Sequence, residues 1–467
     1  MTPATARSPG VRRPPSARPG TGGQLATRRS RRGSPWVVTV AVAILGVGLG
    51  ATVATSVTAE TWSQLRASGG VAMFLGGFTG LAGAYLALVM VMLVSRVPVV
   101  ERVLGQDGLL RWHRRLAPWP ISLIAAHVVL LTLAYAQAAH QGIWHEVGTI
   151  VFTFPWMIEA TIGFVLMMAV AVVSIRAIRR RVRRERWWAF HLCMYLALAL
   201  SFAHVIVLGP SFVRHPLSRF LWIVIWLATA GMVIAYRVGL PLIRTLRHRL
   251  EVVEVRPEGP GVVSVICQGR RLDRLAVSGG QFFEWRFLTR GMWWQAHPFS
   301  LSARPRPPYL RLTVKDRGDF SAAVASLQPG TRVAIEGPYG VFTSHARRRR
   351  KAALIAGGIG VTAIRALLED LPNSTEPVVF LRASTADDLV LSSEVDEWAR
   401  RRNGRTYNLV GSRSAVKLER VVQLVPDFKK RDVYIAGPED FVHFMVDAVA
   451  RLGVAPDAIH FDEYALG

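Results

Sequence analysis

Six long apolar runs occupy the first half of the chain, at 36–59, 70–95, 116–138, 147–175, 187–209 and 217–240. Each run is long enough, as an α-helix, to cross a hydrocarbon core of about 30 Å. Residues 1–35 differ, because they are rich in Arg, Pro, Gly and Ser and contain no acidic side chain. Such a segment cannot bury enough apolar surface to fold. The pattern therefore predicts a disordered basic tail (1–35) and a six-helix transmembrane bundle (36–240).

The second half has shorter apolar stretches with a different period. LEVVEVRPEGPGVVSVICQG, which begins at Leu250, predicts two strands joined by a Gly/Pro turn, and short strands continue to about residue 343. From Lys351, predicted strands alternate with predicted helices. The strands are KAALIA, VVFLRAS, RDVYIAGP and IHFDEYAL, and the helices are VTAIRALLEDL, SSEVDEWARR and FVHFMVDAVARLG. This alternation predicts a parallel sheet with a ligand crevice at the carboxyl ends of its strands.

The distribution of arginines predicts the orientation in the membrane. The formal net charge is +26, a value that is also compatible with nucleic-acid binding. One side of the bundle has eight arginines in the tail, five between spans two and three, seven from Arg176 to Arg186, and four after span six. The other side has Arg66, Arg214 and Arg219. We therefore expect both termini in the cytoplasm, with anionic lipid rather than nucleic acid as the partner of these charges.

Three histidines lie inside predicted spans, where an ionisable side chain is costly and usually functional, and a fourth, His113, lies at the basic entrance of the third span. His113 and His127 are 14 residues apart in the third span, and His191 and His204 are 13 apart in the fifth. Both spans run outward, so His113 and His191 are expected near the inner face of the membrane. Facing histidines on neighbouring helices supply both axial ligands of a haem. The sequence thus predicts two stacked haems, with about 20 Å between the histidines along each helix.

The spacing leaves two questions open. A spacing of 14 keeps two histidines on nearly one helical face, whereas 13 falls about 140° short of four turns. The fifth helix is therefore expected to be distorted, or else its rings reach their partners differently. Hydrogen bonding between helices is the alternative use for these histidines. The only cysteines, Cys193 and Cys267, are too few for a disulfide framework or an iron–sulfur cluster.

A glycine-rich segment, AGGIGVTA (356–363), follows the first predicted strand of the α/β region and opens a helix. Glycines there allow backbone N–H groups to approach a phosphate, but such turns are common and this one alone is weak evidence. Four further motifs add to it: GGQFFEWRFLTRGMWWQAHPFSLSA, GDFS, EGPYG and YIAGP. Their order resembles that of ferredoxin–NADP⁺ reductase-type dehydrogenase domains. With the paired histidines, the chain resembles the ferric reductase and NADPH oxidase superfamily in a bacterial form, over roughly residues 70–467.

The resemblance implies a cytoplasmic antiparallel FAD-binding β-barrel at 246–346 and an NAD(P)-binding α/β domain at 347–467. The implied FAD-binding residues are His297, Pro298, Phe299, Ser300, Leu301, Ser302, Lys315, Gly318 and Ser321. The implied NADP-binding residues are Gly357, Gly358, Gly360, Val361, Thr362, Arg382, Ser384, Gly437 and Pro438. Among these, Lys315 is expected to neutralise the FAD pyrophosphate. Arg382 and Ser384 stand where a 2′-phosphate is read, so NADPH is expected rather than NADH.

Three positions depart from the family pattern. Ala436 replaces the usual cysteine before the last Gly-Pro, and Ala363 replaces the proline that usually ends the phosphate loop. The chain ends in EYALG where relatives commonly end in an aromatic residue that covers the flavin. Leu466 occupies roughly that place, and Tyr464 is the nearest ring.

The resemblance implies a multi-pass plasma-membrane oxidoreductase. Electrons are expected to pass from cytoplasmic NADPH through FAD, the inner haem and the outer haem to an external acceptor, either oxygen, giving superoxide, or a ferric chelate. Oxidases of the family often have a histidine one turn beyond the outer ligand, and here that position is Leu131. Arg114 and Arg115 would pair with haem propionates or serve as a positive-inside anchor.

Two functions of other classes stay open at this stage. One is a haem-containing membrane electron carrier that supplies a partner protein. The other is a non-catalytic membrane scaffold with a degenerate reductase domain. Haem content and reduction by NADPH distinguish the scaffold from the enzyme, and reduction of an external acceptor distinguishes the carrier.

Overall fold

In the computed structural model, the described residues are 35–58, 62–179, 181–182, 184–209, 212, 215–411 and 423–464. The predictions for the tail before residue 35, for Arg214 and for Leu466 fall outside these ranges. The first half is helical and the second half contains two sheets.

The helices of the first half follow the apolar runs. They are α1 Pro35–Thr58, α2 Trp62–Arg66, α3 Gly70–Val94, α4 Pro98–Leu104, α5 Gln106–Leu116, α6 Pro118–Ala139, α7 Ile143–Thr153, α8 Met157–Ser174, α9 Arg176–Arg179, α10 Arg184–Leu208, α11 Pro216–Val233 and α12 Leu240–His248, with a π-helical turn at Ile234–Gly239. Within the described ranges, five helical stretches are long and apolar enough to span a membrane: Gly70–Val94, Gly108–Ala139, Met157–Ser174, Arg186–Leu208 and Pro216–His248. The first predicted span contributes a shorter apolar stretch, Leu45–Thr55. A helical membrane region is therefore present, and the count of six spans stays a prediction.

The sequence predicts a single helix over the fourth apolar run, but the structure has two. It is divided between α7 and α8 at Phe154–Trp156, where Trp156 has a left-handed backbone conformation (φ 63°, ψ 12°). Pro155 lies in this break, and a proline supplies no N–H for a helical hydrogen bond. The candidate span is therefore shortened to Met157–Ser174.

The irregularity expected in the fifth span lies instead in the third. The segment with His191 and His204, α10, is one continuous α-helix. The segment with His113 and His127 is divided at Ala117 into α5 and α6, and Pro118 begins the second helix. The sequence left two explanations for the spacing of 13 in the fifth span. The structure favours rings that reach their partners differently, and it does not have a distorted fifth helix.

The first sheet of the second half is antiparallel. Its strands are β1 Leu250–Gly259, β2 Val262–Gln268, β3 Phe282–Phe287, β4 His297–Ser300, β5 Tyr309–Lys315 and β6 Arg332–Tyr339, in the order β4-β3-β6-β1-β2-β5. A helix, α13 Asp319–Val324, follows β5. An isolated bridge between Leu301 and Leu312 joins the two edges of the sheet. The core between them is built from alternate side chains such as Phe283, Trp285 and Phe287, all fully buried.

The second sheet is parallel, as the alternation of strands and helices predicts. Its strands are β7 Ala352–Gly357, β8 Val378–Ala383, β9 Arg405–Val410, β10 Asp432–Pro438 and β11 Ile459–Tyr464, in the order β11-β10-β7-β8-β9. The helices are α14 Val361–Asp370, α15 Ser392–Arg400 and α16 Glu439–Arg451. The sequence did not predict β9, because RTYNLV is a polar, half-exposed edge strand. The carboxyl ends of β7, β8 and β10 form the edge on which a nucleotide is expected.

A group of charged residues joins the helices to the antiparallel sheet. Arg96, which follows α3, donates to Glu336 Oε1 at 2.7 Å and to Glu284 Oε1 at 3.2 Å, and its guanidinium lies 4.8 Å from the centre of the Tyr339 ring. Arg237 lies 3.6 Å from Glu336. Burial raises the pKa of Glu284, and Arg96 opposes that shift. The carboxylates of the sheet therefore depend on arginines of the helical region.

Replacement of Arg96 by alanine is expected to weaken this junction. The change leaves two mostly buried carboxylates with one fewer partner, a loss that costs about 3 kcal/mol for a buried pair. Hydrogen–deuterium exchange of β3 and β6 should accelerate. Arg256→Ala is the matched control, since Arg256 makes a 2.8 Å bond to Glu254 on the exposed surface of the same sheet, where a pair contributes about 0–1 kcal/mol. Equal exchange in the two variants would contradict the prediction.

Candidate functional site

The four membrane histidines form two facing pairs. The ring centroids of His113 and His191 are 6.1 Å apart, with an angle of 73° between the ring planes. Those of His127 and His204 are 6.2 Å apart, with an angle of 64°. Helices α5 and α6 supply one member of each pair and α10 supplies the other. The structure thus brings together the residues that the sequence singled out.

Backbone carbonyls of α3 hold one histidine of each pair. His127 Nδ1 lies 2.7 Å from the Gly76 carbonyl oxygen, and His113 Nδ1 lies 3.3 Å from that of Met90. A ring nitrogen that donates to a carbonyl leaves the other nitrogen free to bind a metal. In contrast, the Nδ1 atoms of His191 and His204 are buried and have no hydrogen-bond partner among the described residues.

Glycines on α3 make room for α6. A Cβ at Gly80 would collide with the His127 ring, and a Cβ at Gly76 would lie 2.6 Å from Leu131 Cδ2. At Gly83 it would lie 2.8 Å from Ile124. Small residues let membrane helices approach closely. The position of His127 therefore depends on glycine at position 80.

The paired rings fit a haem. An iron bound by two ring nitrogens, at about 2 Å from each as in other metal–imidazole bonds, separates the ring centroids by about 6 Å. Two imidazoles are the full axial ligand set of a six-coordinate haem. Within the described residues, no three His, Cys, Asp or Glu side chains gather into a metal-binding group. Arg114 and Arg115 are exposed beside His113.

The segment HPFSLS lies on the antiparallel sheet, at β4 and the two residues after it. The His297 ring stacks on Phe320 at 3.8 Å. Ser302 is fully buried, and its hydroxyl accepts hydrogen bonds from Thr313 Oγ1 at 2.7 Å and from Arg311 Nε at 3.1 Å. Of the other members of the segment, Ser300 and Leu301 are buried, Phe299 is half-buried and Pro298 is exposed.

The turn before α13 contains Gly318, Ser321 lies in the first turn of that helix, and Lys315 lies just before them at the end of β5. Ser321 Oγ accepts the N–H of Arg317 at 2.7 Å, and Gly318 has a φ of 151°. Lys315 Nζ lies 2.9 Å from Asp388 Oδ1, in the cleft of the parallel sheet. Its hydrogen bond lowers the pKa of the Asp388 carboxyl. Lys315 thus lines this cleft together with Arg317, and its expected role beside the FAD pyrophosphate stays a prediction.

A cleft of ≈ 380 Å³ opens at the carboxyl ends of the parallel strands. It is lined by Lys315, Arg317, Gly357, Gly358, Arg382, Ala383, Ser384, Asp388, Pro438 and Phe441. Five of the nine predicted NADP-binding residues are among them. The remaining four, Gly360, Val361, Thr362 and Gly437, are buried behind the cleft at the start of α14 and the end of β10. The end of β8 supplies Arg382, and the end of β5 with the turn after it supplies Lys315 and Arg317, so three cations line one cleft.

Comparison with known proteins supports the two-part organisation. Residues 79–202 match the family model for the ferric reductase like transmembrane component, and residues 252–343 match that for an FAD-binding domain. Dual oxidase 1 of Homo sapiens is 26% identical over 305 residues, which cover 59% of this chain and 19% of that protein. NADPH oxidoreductase of Mycobacterium tuberculosis is 28% identical over 200 residues, covering 40% of this chain and 52% of that protein.

These matches support the ferric reductase and NADPH oxidase superfamily. The chain spans about a fifth of the length of Dual oxidase 1 and about half of the mycobacterial protein. The FAD/NAD-binding domain of nitric oxide dioxygenase from Vibrio cholerae aligns with a TM-score of 0.41 at 22% identity, covering 46% of this chain and 98% of that one. The expected bacterial origin stays a prediction.

Tyr464, at the end of β11, connects the parallel sheet to the antiparallel sheet. Its hydroxyl lies 3.4 Å from Ser300 Oγ, in the expected FAD segment. Burial raises the pKa of Tyr464, and interaction with Asp462 adds to the shift. The tyrosine therefore stays a neutral ring at the junction.

A second network, which no sequence pattern predicts, joins the same two sheets. Arg311 donates to both oxygens of Glu394 at 2.7 and 2.8 Å, and to the Ser302 carbonyl at 2.9 Å. Arg365 bonds Glu394 at 2.7 Å and Glu369 at 2.5 Å. Burial opposes ionisation of Glu394, but the two arginines lower its pKa overall. No local motif marks these residues, because the pairs form between distant elements.

Gly360→Ala is expected to weaken dinucleotide binding at least tenfold, equal to about 1.4 kcal/mol. A Cβ at Gly360 collides with the carbonyl oxygen of Ala436, and neither backbone can move without shifting β10 or α14. Gly358→Ala is the comparison: its Cβ meets no atom within 4 Å, so only the left-handed φ of 54° costs free energy, about 1–2 kcal/mol. Calorimetric titration with NADPH measures both. Binding that falls in Gly358→Ala but not in Gly360→Ala would contradict the steric argument.

Proposed function

We propose that the chain is a transmembrane oxidoreductase of the plasma membrane. In this proposal it moves electrons from cytoplasmic NADPH, via FAD and two b-type haems, to an acceptor on the outer side. The observation that carries it is the two pairs of facing imidazoles, whose ring centroids are 6.1 and 6.2 Å apart. The same chain has an FAD-binding domain and a cleft for a dinucleotide. Both termini are placed in the cytoplasm by the arginine distribution.

The cofactors supply the redox chemistry when bound: the flavin converts hydride transfer to single-electron transfer, and the haem irons carry one electron each. The residues of the chain hold and separate these groups. His113 with His191 would hold one haem, and His127 with His204 would hold the other. The HPFSLS segment is fixed by the Ser302 contacts and offers its exposed edge to the flavin.

The cleft favours a phosphorylated dinucleotide. Gly358, where a Cβ would meet no atom within 4 Å, leaves the backbone open just before α14, where a helix N-terminus favours negative charge. Arg382 lies at the end of β8, held by a 3.1 Å bond from its guanidinium to the Gly411 carbonyl, with Ser384 two residues later. Lys315 and Arg317 add charge from the opposite wall. This arrangement supports NADPH over NADH.

The acceptor is proposed as oxygen or a ferric chelate. Leu131, one turn beyond His127, packs against Gly76 of α3 and gives that position an apolar character. Assay of superoxide and of ferrous iron by the same purified protein separates these two acceptors. An electron carrier that supplies a partner protein would reduce neither at a significant rate while its haems still become reduced.

The direct test is anaerobic addition of NADPH to purified protein loaded with FAD and haem. Flavin absorbance should bleach first, and the b-type bands of reduced haem should follow. A scaffold with a degenerate reductase domain would show no reduction. Haems that stay oxidised while the flavin is reduced would refute the proposed path.

His204→Leu is expected to lower the haem content from two to one per chain, because the outer haem loses an axial ligand. Flavin reduction by NADPH should keep its rate, since that step takes place at the other end of the molecule. The pyridine haemochrome assay, referred to FAD, gives the ratio. His145→Leu is the matched control, because His145 is an exposed histidine on the outer side. Equal haem content in the two variants would refute the ligand assignment.

Arg382→Ser is expected to lower the preference for NADPH over NADH by about 10- to 100-fold in kcat/KM, as a charged hydrogen bond contributes roughly 1.5–3 kcal/mol. The reduction of a soluble dye by the flavin domain measures it without the haems. Arg405→Ser, at the exposed start of β9, should leave the preference unchanged. A preference that survives Arg382→Ser would assign the reading of the 2′-phosphate to other residues.

A further inference from the structure

An indole lies against one of the four membrane histidines. The Trp187 ring stacks on the His191 ring, with centroids 4.9 Å apart and an angle of 23° between the planes. The two residues are four apart on α10, a spacing that places side chains one above the other. Trp187 therefore covers one face of a proposed haem ligand.

This histidine lacks the contact that orients its partner. His113 Nδ1 lies 3.3 Å from the Met90 carbonyl oxygen. His191 Nδ1 is buried and has no hydrogen-bond partner within the described part of the chain. Metal-binding histidines are usually oriented by a hydrogen bond from the second ring nitrogen. For His191, the observed contact that restricts the ring plane is the stack with Trp187.

Trp187 is itself held from two sides. Its Nε1–H donates to Ser174 Oγ, at the end of α8, at 3.3 Å. The guanidinium of Arg179, on α9, lies 4.4 Å from the centre of an indole ring, within the range of a cation–π contact. Three successive helices thus fix the indole, and the indole restricts the imidazole.

We propose that Trp187 is a positioning residue that sets the plane of the His191 ring and keeps it near the 73° angle with His113. The inference rests on the proposed function, in which these two rings are the axial ligands of the inner haem. The angle between axial imidazole planes sets the splitting of the iron d orbitals, and hence the anisotropy of the EPR signal of the ferric haem. Rings that are nearly perpendicular give a larger maximal g value than parallel rings.

Low-temperature EPR of the oxidised, full-length protein tests the proposal. The inner signal is identified as the one that is lost in His113→Leu. In Trp187→Leu we expect its maximal g value to fall and its line to broaden, because the imidazole then samples planes away from the near-perpendicular one. Trp187→Phe, which keeps a stacking ring, should restore the signal. Trp188→Leu is the matched control, since Trp188 is the next residue and is 42% exposed.

Two outcomes would overturn the inference. One is an unchanged inner signal in Trp187→Leu at full haem content. The other concerns the case in which Trp187→Leu loses the inner haem. The double variant Ser174→Ala, Arg179→Gln then replaces it, because it keeps the indole but removes both of its supports. An unshifted inner signal in this double variant would overturn the inference. A shift in the double variant supports the proposal. If the wild-type protein has no haem with two imidazole ligands, the proposed function itself fails, which is a different result from two intact haems that do not respond to Trp187.

Discussion

Each imidazole placed in a hydrocarbon layer needs a partner for its two ring nitrogens, and this requirement organises the membrane half of the molecule. His113 and His127 meet it at Nδ1 through backbone carbonyls of α3, and the rings of His191 and His204 on α10 face them across each pair. That arrangement forces α3 against α6, which is possible only because Gly76, Gly80 and Gly83 have no side chain there. The same requirement fixes the height of α10 relative to α5 and α6, since two ring pairs must match at once.

The sequence predicts most of the fold because its signals are local. Apolar runs predict the membrane helices, alternation predicts the parallel sheet, and a glycine turn after β7 predicts the cleft. The sequence does not predict the break at Pro155, because apolar residues continue on both sides of it. The sequence does not predict the strand β9, because an edge strand of polar residues has no distinct hydrophobic pattern.

The histidines of the site could be found from the sequence, but the residues that support them could not. His191 is visible as an ionisable residue in an apolar run, and His113 as one at the edge of such a run. Trp187 is an ordinary tryptophan near a membrane surface until its ring is seen on His191. Arg96 was counted as one of many positive charges on the inner side, yet it is bonded to Glu284 and Glu336. Arginines that predict the orientation therefore include one that pairs with the attached antiparallel sheet, and arginine counts alone do not separate this role from an interaction with lipid.

The bond between Lys315 and Asp388 has a consequence for the cleft. The ammonium already has an anionic neighbour, so an arriving phosphate exchanges with a carboxylate instead of meeting an uncompensated charge. Such an exchange reduces the number of small ions released on association. Nucleotide affinity should then fall less steeply with ionic strength than three unneutralised cations would imply.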